Sequence, residues 1–254
     1  MRFRITLHPE KERFKLPYNY NYPLASAIYS FLGRGDASFS DFLHDEGFWH
    51  DGKTFKLFTF SPLLCSHRKA VKDSLLLQGK IDWFISSPKE EFVSGLAHGI
   101  LQQGFLSLMG QRLIVQQVEV LSQPSFEPRM SFRTLSPLVV STGELKNNGK
   151  FRKKYLSPEE PEFNRILEEN LRRKYEACYR KGAPQEGISL DLLRTPQSKL
   201  LDYKGIKVRG WFMHFMVQAN PELIKIGYEA GFGENNSAGF GMVEMYAKSP
   251  EAVY

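Results

Sequence analysis

Between Arg2 and Leu121 the spacing of apolar residues switches repeatedly between two periods, and that succession limits the possible folds more than any other feature. Phe3, Ile5 and Leu7 alternate with Arg2, Arg4 and Thr6, the pattern of a half-buried strand. Leu24, Ala27, Ile28, Phe31 and Leu32 then recur at helical spacing, with Pro23 at the start and Gly33 at the end. Phe39, Phe42 and Leu43 form a short second helical patch. Phe55 to Phe60 and Asp82 to Ser86 read as strands. Ser87-Pro88-Lys89-Glu90 reads as a capping box ahead of a helix bearing Phe92, Val93, Leu96, Ala97, Ile100 and Leu101 on one face. Leu113, Val115 and Val118 to Leu121 supply another strand. Strand, helix, strand, strand, helix, strand is the split βαβ, or ferredoxin-like, unit.

Pro124 and Pro128 mark a boundary, after which the order starts again. Ser131 to Ser141 opens the second half, and Ser157-Pro158-Glu159-Glu160 is a second capping box. Phe163, Ile166, Leu167, Leu171, Tyr175 and Cys178 then trace a helical stripe that Gly182 is expected to end. Ile206 to Ala219 reads as one long strand, Pro221 to Ile226 as a short helix and Gly239 to Tyr246 as a last strand. The expected class is α+β, two tandem ferredoxin-like (βαββαβ) domains, residues 1–122 and 123–254. Only the order of elements supports the duplication, because no sequence repeat accompanies it.

Composition narrows the function classes. With 34 Lys and Arg against 28 Asp and Glu, the net charge is +6, which permits an anionic partner without requiring one. Cys65 and Cys178 stand far apart, so neither a CxxC metal or redox site nor a disulfide framework is expected. A reducing, cytoplasmic setting fits that usage. Charged residues interrupt every apolar run short of a membrane span, and the opening strand pattern leaves no signal peptide to expect.

Two segments stand out chemically. Lys146, Lys150, Arg152, Lys153 and Lys154 crowd an Asn/Gly-rich stretch without an acid among them, a candidate phosphate contact. Lys207 and Arg209 are further backbone contacts by type, as are Arg2 and Arg4. Gly227 to Gly241 holds five glycines in fifteen residues. Such a run allows positive φ, close backbone approach and an anion nest, but it matches neither a Walker nor a Rossmann fingerprint.

The stretch Gly231-Phe-Gly-Glu-Asn-Asn-Ser-Ala-Gly-Phe-Gly241 resembles the signature of the CRISPR-associated repeat-cleaving endoribonucleases, the Cas-six family. Met1-Arg-Phe-Arg-Ile, Leu16-Pro-Tyr-Asn19 with Ile28-Tyr29, Phe42-Leu-His44, Lys56-Leu-Phe-Thr-Phe-Ser61 and Thr134-Leu-Ser-Pro137 agree with the family in order. The resemblance implies the tandem ferredoxin-like fold. It implies metal-independent cleavage of CRISPR repeat RNA by 2′-OH attack, leaving a 2′,3′-cyclic phosphate and a 5′-OH, with no metal and no cofactor. It also implies sites. His44 takes the catalytic histidine position as general acid or base, Tyr29 positions the reacting groups, and Lys56 stabilises charge on phosphorus. Gly231, Gly233, Asn235, Asn236, Gly239 and Gly241, with Lys150, Arg152, Lys153, Lys154, Lys207 and Arg209, would hold the RNA. A CRISPR effector complex and a homodimer are the further partners it leaves open, and a membrane is not among them.

The chemistry demands the same residue types: a group titrating near neutrality to move protons, and a cation or donors for the phosphorane. His8, His44, His50, His67, His98 and His214 are available. The segment Glu46 to Lys53 is longer than the family pattern, so His50 is an alternative to His44, and Lys53 to Lys56. A non-catalytic RNA-binding subunit is the alternative to the nuclease.

Overall fold

A computed structural model describes residues 1–145, 149 and 151–246. In chain order the first half contains β1 (Arg2–Pro9), β2 (Phe14–Pro17), α1 (Asn21–Gly35), α2 (Ala37–Asp45), β3 (Phe48–His50), β4 (Lys53–Phe55), β5 (Thr59–Phe60), β6 (Leu64–Val71), β7 (Ser74–Ser86), α3 (Glu90–Gln103), β8 (Phe105–Leu108) and β9 (Gln111–Leu121). The second half contains β10 (Arg129–Thr134), β11 (Ser141–Leu145), β12 (Phe151–Tyr155), α4 (Glu162–Tyr179), β13 (Ser189–Leu192), β14 (Gln197–Tyr203), β15 (Ile206–Phe212), β16 (His214–Gln218), α5 (Pro221–Ala230), a 3₁₀ turn over Asn236–Ala238 and β17 (Val243–Met245).

Both halves carry the tandem ferredoxin-like order. In the first sheet β9, β1, β7 and β6 lie side by side, with β2, β5 and β8 added around them. In the second, β17, β10, β16 and β13 lie side by side. Each is the sequence fourth, first, third, second, and all pairs are antiparallel. Ile5 stands opposite Trp83 and Val118, while Phe132 stands opposite Phe215. The alternation read from the sequence thus sends Phe3, Ile5 and Trp83 into one core with Ile28, Phe31 and Leu96 from α1 and α3. Phe132 and Phe215 enter a second core with Leu167, Leu171 and Leu223 from α4 and α5.

Several local expectations change. Gly33 does not stop α1, which runs to Gly35 before Asp36 turns extended and caps α2 through its carboxylate, 2.9 Å from Phe39 N. The segment Phe55–Phe60 is not one strand. Leu57 adopts φ +51°, and that kink splits it into β4 and β5. Neighbouring Leu57 and Phe58 are consequently both buried, each in a different core. Ser87 is not an N-cap: Lys89 occupies that position without a side-chain bond, and Ser87 Oγ instead donates to Leu57 O. The second box forms one turn ahead of its helix, with Ser157 N donating to Glu160 Oε1 at 2.7 Å. Arg180, at φ +56°, ends α4 in place of Gly182.

The long strand expected over Ile206–Ala219 breaks at Met213. β15 leaves to pair with β14 as a separate ribbon, and β16 alone enters the sheet. The last strand shrinks to β17, because the glycines before it are needed in a turn. Arg2 is no RNA contact here. It is 5% exposed, donates to Val243 O and Tyr228 O, and lies over the Tyr228 ring, tying β1 to the second half. Arg4 pairs with Glu119.

Candidate active site

Tyr29 sits on the half-buried side of α1, and His44 in the last turn of α2. The Asp36 cap fixes the angle between the two helices and brings the two rings edge to face, centroids 5.6 Å apart. Gly47, at φ +72°, then turns the chain into the β3–β4 hairpin, where an added Cβ would meet Phe55 O at 2.9 Å. That hairpin is the extra length between His44 and Lys56. It loops out and returns Lys56 to the end of α2, where Nζ donates to His44 O at 2.8 Å. A cation on the last carbonyls of a helix is favourable for both. The three residues named from the sequence as catalytic are therefore adjacent, although 27 positions separate the outer two.

Their environments differ in useful ways. His44 is exposed, with Nδ1 2.7 Å from Asp45 Oδ1. That contact holds Nδ1, and Nε2 has no hydrogen-bond partner among the described residues. Burial pushes the Tyr29 phenol up to about 12, with Tyr203 adding to the shift, so the hydroxyl keeps its proton as a donor. Burial lowers the Lys56 ammonium, and the Asp45 charge pulls it back up. His50, the alternative histidine, is turned onto α4, its Nε2 2.8 Å from Glu176 Oε2.

The glycine-rich loop lines a cleft that Lys56 also lines, which neither Tyr29 nor His44 enters. Gly231, Gly233, Gly239 and Gly241 all have positive φ, and a Cβ on Gly241 would lie 1.9 Å from Phe232 O. Asn236 is buried and its Nδ2 donates inward to Phe232 O and Phe240 O, whereas Asn235 is exposed. The amides of Gly239 and Gly241 bond to Asn236 O and Pro137 O. Asn21 Nδ2 and Thr59 Oγ1, from the first half, bond to Ala238 O, Gly239 O and Phe240 O and seat the loop across both halves.

Between the loop, the Lys53–Phe58 segment, the β11–β12 hairpin and α4 opens a cleft of about 690 Å³. Lys53, Lys56, Arg152 and Lys153 line it. Lys153 pairs with Glu234 at 2.8 Å, and Lys154 with Glu160 at 2.6 Å. Lys207 and Arg209 stand apart on the β14–β15 ribbon, bonded to Asp202 and Ser198. Lys146 and Lys150 lie outside the described residues. Among the described residues no group of three or more His, Cys, Asp or Glu side chains is placed to hold a metal ion, and no helix is long and apolar enough to cross a membrane.

The family models for the N-terminal and C-terminal parts of CRISPR-associated protein Cas6 match residues 15–119 and 121–245. The chain belongs to the Cas6 family. It is 32% identical to the CRISPR-associated endoribonuclease Cas6 of Pyrococcus furiosus, with 96% of this chain and 90% of that protein covered. It is 33% identical to the CRISPR-associated endoribonuclease Cas6 1 of Methanocaldococcus jannaschii, covering 94% and 91%. A solved structure described as an RAMP protein binding different RNA substrates superposes with TM-score 0.84 at 26% identity, covering 97% of this chain and 100% of that one.

In this Cas6 protein α4 contributes two cleft residues that the sequence pattern did not mark. Asn170 and Lys174, one turn apart, are both buried and both line the cleft. Lys174 Nζ donates at 2.6 Å to Gly231 O and to Gly233 O, pinning the loop. Sequence reading takes such a lysine as part of a solvated helix face, and only the packed loop carbonyls distinguish it. Burial lowers the Lys174 ammonium to about 7, with Glu234 pulling the other way. In the unfolded chain a lysine titrates near about 10.4. Between those values the folded protein binds fewer protons than the unfolded chain, so the stability contributed here rises with pH. Relative to Lys174→Met, the wild-type urea midpoint is expected to climb from about pH 7 to about pH 9. A constant or falling difference would show that Lys174 keeps its charge.

Proposed function

We propose that this protein is a metal-independent endoribonuclease that cuts CRISPR repeat RNA within the precursor transcript. The 2′-OH attacks the adjacent phosphorus, leaving a 2′,3′-cyclic phosphate and a 5′-OH. The observation that carries this reading is the convergence of Tyr29, His44 and Lys56 at the end of α2, beside a cleft lined by Lys53, Arg152 and Lys153. His44 Nε2 moves a proton at the 2′-OH or the leaving 5′-oxygen. Tyr29, held protonated, donates to a non-bridging oxygen. Lys56 uses one N–H on His44 O, and its two remaining donors are available to the charge that builds on phosphorus. In this division residues 1–122 supply the reacting groups. Residues 123–254 supply the loop and the basic hairpin, where Arg152, Lys153 and Lys154 meet the RNA backbone.

A repeat RNA carrying 2′-deoxy at the scissile nucleotide is expected to bind like the unmodified RNA and to remain uncut, while the unmodified RNA is cut in excess EDTA. Cleavage of the deoxy substrate, or loss of cleavage in EDTA, would overturn the mechanism. The non-catalytic alternative, suggested by the RNA-binding relative of known structure, predicts tight binding of both RNAs and cleavage of neither.

A further inference from the structure

We propose that the β3–β4 hairpin is a stacking platform, on whose outer face Trp49 lies flat against one base of the bound RNA, a nucleotide or two from the scissile phosphate. This rests on the nuclease reading above only for the identity of the polymer. The hairpin is the length that this chain has beyond the family pattern between His44 and Lys56. Trp49 follows His44 by five residues, a reach of at most about 17 Å. Strand pairing sets Phe48 opposite Phe55, Trp49 opposite Thr54 and His50 opposite Lys53. Phe48 and His50 share one face, Phe48 packing against both cores and His50 Nε2 reaching Glu176. Trp49 is left on the other face, 60% exposed. The other two tryptophans are covered, Trp83 fully and Trp211 in part, and their indole N–H groups donate to Ser61 O and Leu156 O.

The backbone under the indole is held in place by α4. Arg180 Nη1 donates to Trp49 O at 3.3 Å, Asp51 pairs with Arg173 Nε at 3.0 Å, and His50 pairs with Glu176 at 2.8 Å. A ring positioned before binding loses little freedom when it is covered. The neighbours select the ligand. Thr54 stands opposite Trp49, and Asp51, Gly52 and Lys53 complete the turn, all of them exposed. None is apolar, so the indole is an isolated ring and no part of a contiguous patch of the size that protein partners cover. A single flat ring matches a single nucleobase, and single-stranded RNA splays its bases out to stack on aromatic side chains. Lys53, in the adjoining rung, is an exposed cation for the backbone that carries the base. Every base has a π-face, so the contact fixes a position along the RNA and is indifferent to which base occupies it.

The test separates position from identity. Repeat RNAs with 2′-deoxy at the scissile nucleotide, which removes the attacking hydroxyl, are made with single abasic sites at each nucleotide near the cleavage point. Affinities for wild type, Trp49→Ala and Trp49→Phe are read by fluorescence anisotropy. At one position the abasic RNA is expected to bind wild type about 10- to 100-fold more weakly than intact RNA, the worth of one stacked base. There Trp49→Ala should bind the intact and abasic RNAs alike, and Trp49→Phe should keep most of the difference. Exchanging that base for any other should change wild-type affinity by less than about threefold. Equal affinity of Trp49→Ala and wild type for intact RNA would overturn the proposal and leave the ring to a protein partner. So would a loss by the same factor with every abasic RNA, the mark of a general fold defect. Both variants should melt like wild type, because the exposed ring fills no core. Unmodified repeat RNA is assayed for cleavage separately. Coupling without cleavage would refute only the nuclease reading, and cleavage without coupling only this one.

Discussion

His44→Ala is expected to lower the single-turnover cleavage rate by about 10² to 10⁴-fold, the usual worth of a positioned proton-transfer group. Affinity for the repeat RNA should be unchanged, because the exposed imidazole caps no helix and fills no core. Its backbone carbonyl, which anchors Lys56, survives the substitution. His50→Ala should cleave at close to the wild-type rate, since the His50 ring is engaged with Glu176 on α4. The measurement is quench-flow or manual single-turnover cleavage with saturating enzyme, alongside anisotropy for binding. The reverse result, loss with His50→Ala and retention with His44→Ala, would move the proton transfer to the hairpin. It would leave the meeting of Tyr29, His44 and Lys56 without a catalytic role.

The second large effect concerns the scaffold under that site. α1 and α3 cross with their backbones in contact. A Cβ on Gly99 would lie 1.8 Å from Phe31 O, and one on Gly35 1.9 Å from Gly95 O. Gly95 and Gly99 are four residues apart, the spacing at which small side chains let two helices approach closely. Gly99→Ala therefore collides with a carbonyl inside a hydrogen-bonded helix, which cannot rotate away as a side chain would. A destabilisation of at least about 3 kcal/mol is expected, the upper range of overpacking. For a chain of this size that lowers the melting temperature by roughly 6 to 12 °C. Gly182→Ala is the control: nothing lies within 4 Å of its added Cβ, and it should melt within a degree or so of wild type. Because Phe31 is two residues from Tyr29, a surviving Gly99→Ala protein should also cleave slowly. Equal melting temperatures for the two variants would show that the helices can part without cost.

The amino-acid sequence alone determined most of the order of elements and the faces they bury; β6, largely exposed, and β13, four residues long, carry too little apolar period and were not legible. Period-two and period-3.6 patterns record which side of a strand or helix meets a core, so Ile5, Phe31, Phe132 and Leu171 were legible directly. The glycine-rich stretch was legible as a turn because positive φ at Gly231, Gly233, Gly239 and Gly241 suits glycine and little else. Tyr29, His44 and Lys56 were singled out through resemblance, since nothing in their spacing separates them from other surface residues.

Only the tertiary structure decided where those residues meet. A non-glycine residue in the left-handed region, Leu57, has no reliable sequence mark, yet its kink divides two cores and aims Lys56 at α2. The strand break at Met213 is equally silent, because apolar alternation continues across it while the hydrogen bonds change partner. Arg2, Asn170, Lys174 and Asn236 read as solvated polar residues. They are buried because carbonyls, rings and loops from distant segments close over them. Periodicity encodes the face an element turns to its own core. What a polar side chain meets on the opposite face depends on residues up to 241 positions away, and only folding brings them together.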